Sequence, residues 1–158
     1  MVNSNNEYLE SQVLTAPPYE LHRMVVDAAI RHARRAEEAL ARRDYETSYF
    51  SLNSARDCVN ELIVGLDRDR APDLVDRLRA LFVFVHRRLV EGDLYHDPRR
   101  IRDAIQILEM HRDTWCQLIE RLREEQTSYQ DDVNESSQDY HGHDGYDRYD
   151  GEGVSWLT

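Results

Sequence analysis

The sequence predicts an all-α protein: an antiparallel four-helix bundle with a short N-terminal docking segment and a disordered acidic C-terminal tail. Three observations carry that prediction. Apolar residues recur at helical spacing in four long stretches. Short breaks bearing Pro, Gly or Asp divide those stretches. From Thr127 onward acidic residues accumulate, with almost no aliphatic residues before Val154. The organisation that follows is 1–17 as a docking segment, 18–126 as the bundle and 127–158 as the tail.

In the N-terminal segment, Tyr8, Leu9 and Val13 are spaced as a weak amphipathic turn that cannot hold itself as an isolated helix. The first helix opens at Pro18, a residue suited to a first helical position, with Glu20 near the positive end of the helix dipole. At 100° per residue, Leu21, Val25, Ala28, His32, Ala36 and Ala39 line one seam, expected to face the core. Val26, Ile30 and Ala33 make a second apolar strip, and a surface helix with one core needs only one. Arg42 and Arg43 close the helix, and Asp44 is a good N-cap for the next.

The second helix is expected from Tyr45 to Leu66, with Phe50, Leu52, Ala55, Val59, Leu62, Ile63 and Leu66 as its apolar positions. Gly65 and the charged stretch 67–70 mark its stop. The third begins around Pro72, with Leu74, Leu78, Leu81, Phe82, Val85 and Leu89 as its seam. Val83, Phe84 and Val90 lie on its flanks, so this helix is apolar nearly all round. After the break at 92–98, Ile101, Ala104, Ile105, Leu108, Trp115, Leu118, Ile119 and Leu122 continue at helical spacing. Four long helices with short connections argue for an antiparallel bundle.

Composition narrows the function. Charged residues are 32% of the chain and the formal net charge is −11, which argues against nucleic acid as a partner. All 20 basic residues are Arg. Cys58 and Cys116 sit inside helical patterns without metal-like spacing and read as buried, reduced thiols. The start of the chain lacks a signal-peptide pattern, and no stretch approaches membrane-spanning length. No Glu-x-x-His motif, P-loop or dinucleotide fingerprint is present. His32 and His111 fall on apolar faces and read as hydrogen-bonded packing residues. The run 141–144, H-G-H-D, reads as a solvated polar tract. Asp93, His96 and Asp97 share a break without an obvious nucleophile or oxyanion donors. Neither an enzyme, a cofactor nor a metal site is expected.

The string V-L-T-A-P-P-Y-E-L-x-x-M-V-V-D-A-A-I resembles the opening of the flagellin-specific export chaperones, the FliS family. Thr15, Ala16, Pro18, Glu20, Leu21, Met24, Asp27, Ala29 and Ile30 match that family's T-A-S-P-E-E-L and M-L-Y-D-G-A-I. Pro17 stands in place of its capping Ser, Val26 of its Tyr and Ala28 of its Gly. Residues 57–67, D-C-V-N-E-L-I-V-G-L-D, resemble its second helix, and L-x-x-L-F-V-F-V-H-R-R-L-V-E-G its third. There Glu91–Gly92 replaces the family's Ala–Asn pair. In the fourth helix the resemblance runs to Trp115, with His111 where the pattern often has Leu.

The resemblance implies a bacterial cytoplasmic chaperone that binds the C-terminal disordered region of flagellin, blocks premature polymerisation and keeps the subunit competent for export. Other flagellar export components are further partners it brings into view. The surplus strips, Val26, Ile30, Ala33, Val83, Phe84 and Val90, are then the expected client groove. Tyr8, Leu9 and Val13 are the expected lid over part of it. The alternative is a structural or regulatory bundle that self-associates through the same surplus apolar face.

Overall fold

The computed structural model describes the backbone of residues 17–138 and the side chains of residues 17–130. Helix α1 spans Pro18–Ala41, α2 Tyr45–Val64, α3 Pro72–Tyr95 and α4 Pro98–Gln138. There is no strand among the described residues. Tyr8, Leu9 and Val13, and the tail beyond Gln138, lie outside them.

Local chemistry sets the helix ends. Pro18 and Pro72 each open a helix in its first turn, as their fixed φ and missing N–H favour. Pro17, the residue before α1, makes no side-chain cap. Asp44 does cap α2: its Oδ1 accepts the Thr47 backbone N–H at 3.1 Å. Arg43 and His96 stop α1 and α3 in the left-handed region, at φ 59° and 50°. Neither is Gly, so each turn carries some backbone strain.

The chain divides into two units, Met1–Ile119 and Glu120–Thr158. The first holds the bundle, and its ion pairs record the antiparallel order. On α1 and α4, Glu37 meets Arg102 while Asp27 meets Arg112 at 3.6 Å. On α3 and α4, Arg88 meets Asp103 at 3.4 Å and Glu91 meets Arg100. Arg56 of α2 reaches Asp93 of α3 at 3.1 Å. In the second unit the described side chains, all exposed, belong to the C-terminal part of α4.

The core is built from Val26, Ala29, Ile30, Ala33, Ala36 and Leu40 of α1 and Leu52, Ala55, Val59 and Leu62 of α2. Phe82, Val85 and Leu89 of α3 and Ile101, Ala104, Ile105 and Leu108 of α4 complete it. This corrects the expected seam of α1. Val26, Ile30 and Ala33 are the inward residues, while Leu21, Val25, Ala28 and His32 are half-buried. The two strips are centred about 130° apart, and α1 has neighbours on two sides, so the centre of its buried arc falls between them.

Other positions are corrected for similar reasons. Val75, not Leu74, turns inward at the start of α3. Phe50, Leu118 and Leu122 are exposed. Cys116 is exposed too, and Cys58 is half-buried, its thiol pushed up by burial and by Asp57. The fourth helix also runs past the expected boundary at 126. Residues 127–138 contain no Gly or Pro, so their charge does not interrupt the helix.

At Gly92, α3 comes close to Ile101 of α4. A Cβ built there lies 2.6 Å from Ile101 Cγ1. Gly92→Ala gains about 1 kcal/mol of helix propensity and meets a clash worth about 1–3 kcal/mol. The expected outcome is a net loss in chemical denaturation that disappears in an Ile101→Ala background.

Candidate functional site

The structure separates the six residues of the expected groove. Val26 and Ile30 are 1% and 2% exposed and Ala33 is fully buried, so on α1 they belong to the core and present no surface. Val83, Phe84 and Val90 are 51%, 42% and 38% exposed. Val83 and Val90, seven residues apart, share one face of α3. Phe84 is turned about 100° from Val83. It carries the Arg88 guanidinium 5.1 Å from its ring centre, and Arg88 reaches across to Asp103 of α4. The third helix therefore presents two apolar edges, not one strip.

Further large apolar side chains lie outside the core. Leu94 and Tyr95 are exposed near the end of α3, and Tyr49 and Phe50 near the start of α2. Phe50, 59% exposed, lines an open groove of about 220 Å³ between α1 and α2 with His32, Arg35, Thr47, Ser51 and Ser54. The sequence pattern groups Phe50 with Leu52 among the apolar positions of α2. Residues two apart on a helix differ by about 200°, so Phe50 and Leu52 cannot share a seam. That arithmetic was the available signal. Leu94 carried none, because it stands in the expected break after Gly92.

Elsewhere in the bundle, two imidazoles meet. His22 Nε2 of α1 lies 2.8 Å from His111 Nε2 of α4, so one ring donates an N–H and the other accepts. Phe82 packs edge-on to His111 at 5.0 Å between ring centres, and Trp115 tilts over His22 at 4.3 Å. The Trp115 indole N–H donates to the Tyr19 carbonyl at 3.0 Å, tying α4 to the first turn of α1. Burial, with His111 nearby, pushes His22 down to about 4; burial lowers His111 as well. His111, expected as a hydrogen-bonded packing residue, is one half of this latch.

Glu91 is a second electrostatic centre. Burial alone would raise its carboxyl, but hydrogen bonds from Arg87, Arg88 and Arg100 hold it below the ordinary range. Among the described residues no group of three or more His, Cys, Asp and Glu side chains could hold a metal ion, and no helix is long and apolar enough to cross a membrane. What the arrangement offers is apolar contact area, with arginines interleaved.

Known proteins with a similar sequence or fold agree on one family. The model of the family described as flagellar protein FliS matches residues 1–122. The flagellar secretion chaperone FliS of Bacillus subtilis is 27% identical over 123 residues, covering 78% of this chain and 91% of the relative. The flagellar secretion chaperone FliS of Salmonella typhimurium is 28% identical over 111 residues, covering 70% and 82%. A crystal structure described as a flagellar chaperone from bacteria superposes with a TM-score of 0.63 at 18% identity, covering 74% of this chain and 98% of that one.

Two outcomes follow from this geometry. Ile30→Gln removes a buried side chain and strands an amide in the core, at a cost of about 3–5 kcal/mol. Val83→Gln changes an exposed position and stays within about 0.5 kcal/mol. Urea denaturation of both variants checks the split. The His22–His111 pair makes stability depend on pH with a definite sign. A folded pKa of about 4 against an unfolded 6.5 means the contribution is complete above pH 6.5 and lost as pH falls toward about 4. A His22→Phe/His111→Leu double variant should flatten that part of the profile, as measured by thermal unfolding across the window.

Proposed function

The chain belongs to the flagellar protein FliS family, and from that premise we propose that it is an export chaperone for flagellin. It binds the C-terminal disordered segment of newly made flagellin in the bacterial cytoplasm, prevents premature polymerisation and keeps the subunit competent for export. Its place in export also puts it in contact with other components of the flagellar export machinery.

One observation carries the reading. The chain buries small residues and exposes large apolar ones: Ala29, Ala33, Ala36 and Ala39 fill the inner face of α1 while Phe50, Val83, Phe84, Val90 and Leu94 remain outside. Contiguous exposed apolar surface is a feature of partner sites. A disordered segment gains its order by laying an amphipathic face against such a surface. Nothing in that mechanism requires catalysis. Val83, Phe84 and Val90 supply the contacts on α3, and Tyr49 and Phe50 supply others on α2. Tyr8, Leu9 and Val13 cover part of this surface when the client is absent.

The test uses the full-length chain and a purified C-terminal segment of flagellin. Val83→Gln and Phe84→Gln are each expected to weaken binding about ten-fold, near 1.4 kcal/mol, without lowering the unfolding transition. Failure of the wild-type chain to form a complex of defined mass with the segment overturns the reading. Concentration-dependent growth of the chain alone would point to self-association instead.

A further inference from the structure

We propose that the segment seated on the outer face of α3 is an amphipathic helix whose polar side is acidic; this rests on the client reading above and names the chemistry the surface selects. The argument starts from charge placement. From Arg77 to Val90 the sequence holds four arginines and no acidic residue, in a chain whose net charge is −11. At about 100° per residue, Arg79 falls to one side of Val83 and Val90. Arg87 falls between Val83 and Phe84, and Arg77 just beyond Phe84. The order around the helix is thus Arg79, Val90, Val83, Arg87, Phe84, Arg77: apolar edges with a cation at each border and one in the middle.

Of the three acidic residues near this face, Asp73 is exposed at the start of the helix, and the other two are paired within the fold. Asp76 pairs with Arg68 at 3.2 Å. Glu91 is shared by Arg87, Arg88 and Arg100. Arg77 and Arg79 are exposed and have no ion pair or hydrogen bond among the described residues. The outer face therefore keeps uncompensated positive charge beside Val83, Phe84 and Val90.

That charge decides between occupants. A second copy of this chain would bring arginines against arginines, which costs binding energy. Nucleic acid would meet apolar edges here and a net negative protein everywhere else. An acidic amphipathic helix satisfies both features: apolar side chains at i, i+3, i+4 and i+7 rest on Val83, Val90 and Phe84, and its carboxylates reach the bordering arginines.

The probes are two labelled synthetic peptides of about 20 residues, long enough to form helix on docking. They share one leucine pattern at helical spacing and carry either Glu or Gln at the other positions. Each is titrated into the full chain and into Arg77→Gln/Arg79→Gln at about 0.05 M and about 0.5 M salt. At low salt the wild type is expected to bind the Glu peptide about ten-fold more tightly than the Gln peptide, and both the double variant and high salt should close that gap. Equal affinity for the two peptides, or a preference that the variant keeps, overturns the proposal. So does tighter binding to anionic phosphatidylserine vesicles than to the Glu peptide.

The C-terminal flagellin segment is titrated in parallel. If it binds wild type and variant equally at low salt, the client reading stands and the acidic occupant falls. If it does not bind while the Glu peptide does, the flagellin reading falls and the surface stands.

Discussion

Alanine sets the distance between these helices. The inner face of α1 carries Ala29, Ala33, Ala36 and Ala39, met by Ala55 on α2 and Ala104 on α4, all fully buried. Gly92 lets α3 close on Ile101 of α4. The distance between packed helices depends on the side chains at the contact, and small ones draw the axes together. The largest fully buried side chains are Phe82, Leu52, Leu89, Ile101 and Leu108. Other large apolar side chains, among them Phe50, Val83, Phe84 and Leu94, stay on the surface. A narrow core and an apolar exterior occur together in this bundle.

The polar contacts align what the alanines draw together. Exposed ion pairs contribute little to stability. Their value here is register, because Glu37–Arg102 and Asp27–Arg112 both hold only when α4 runs against α1 in one alignment. Arg serves this role better than Lys, since its planar fork can engage two carboxylates at once. Arg88 does so, reaching Glu91 on its own helix and Asp103 on the next. The His22–His111 contact adds a link that needs at least one neutral ring as acceptor, and burial lowers the pKa of both rings.

Much of this fold was legible from residue spacing. Helix number, order and starting points followed from Pro18, Asp44 and Pro72 and from the apolar period. Rotation was harder to read. The arc of α1 that faces inward depends on where α2 and α4 sit, and the apolar pattern of Leu21, Val25, Val26 and Ile30 is compatible with two settings about 130° apart. The end of α4 was missed because acidic composition outweighed the lack of a breaker before Gln138. On α3, Val83, Phe84 and Val90 read as flanking residues and are exposed, and the roughly 100° between Val83 and Phe84 follows from spacing alone. The His22–His111 contact joins residues 89 apart in sequence, a pairing no local pattern encodes.

The connections at the two ends of the bundle differ. Residues 42–44 join α1 to α2 and residues 96–97 join α3 to α4. Those two turns lie side by side, with the Tyr45 and His96 rings 4.5 Å apart. The other end has only the longer link 65–71. The short turns tie the first end covalently, while across α1 and α4 the far end is held by side chains: the Trp115 indole on the Tyr19 carbonyl and the His22–His111 contact stand where the first end has backbone.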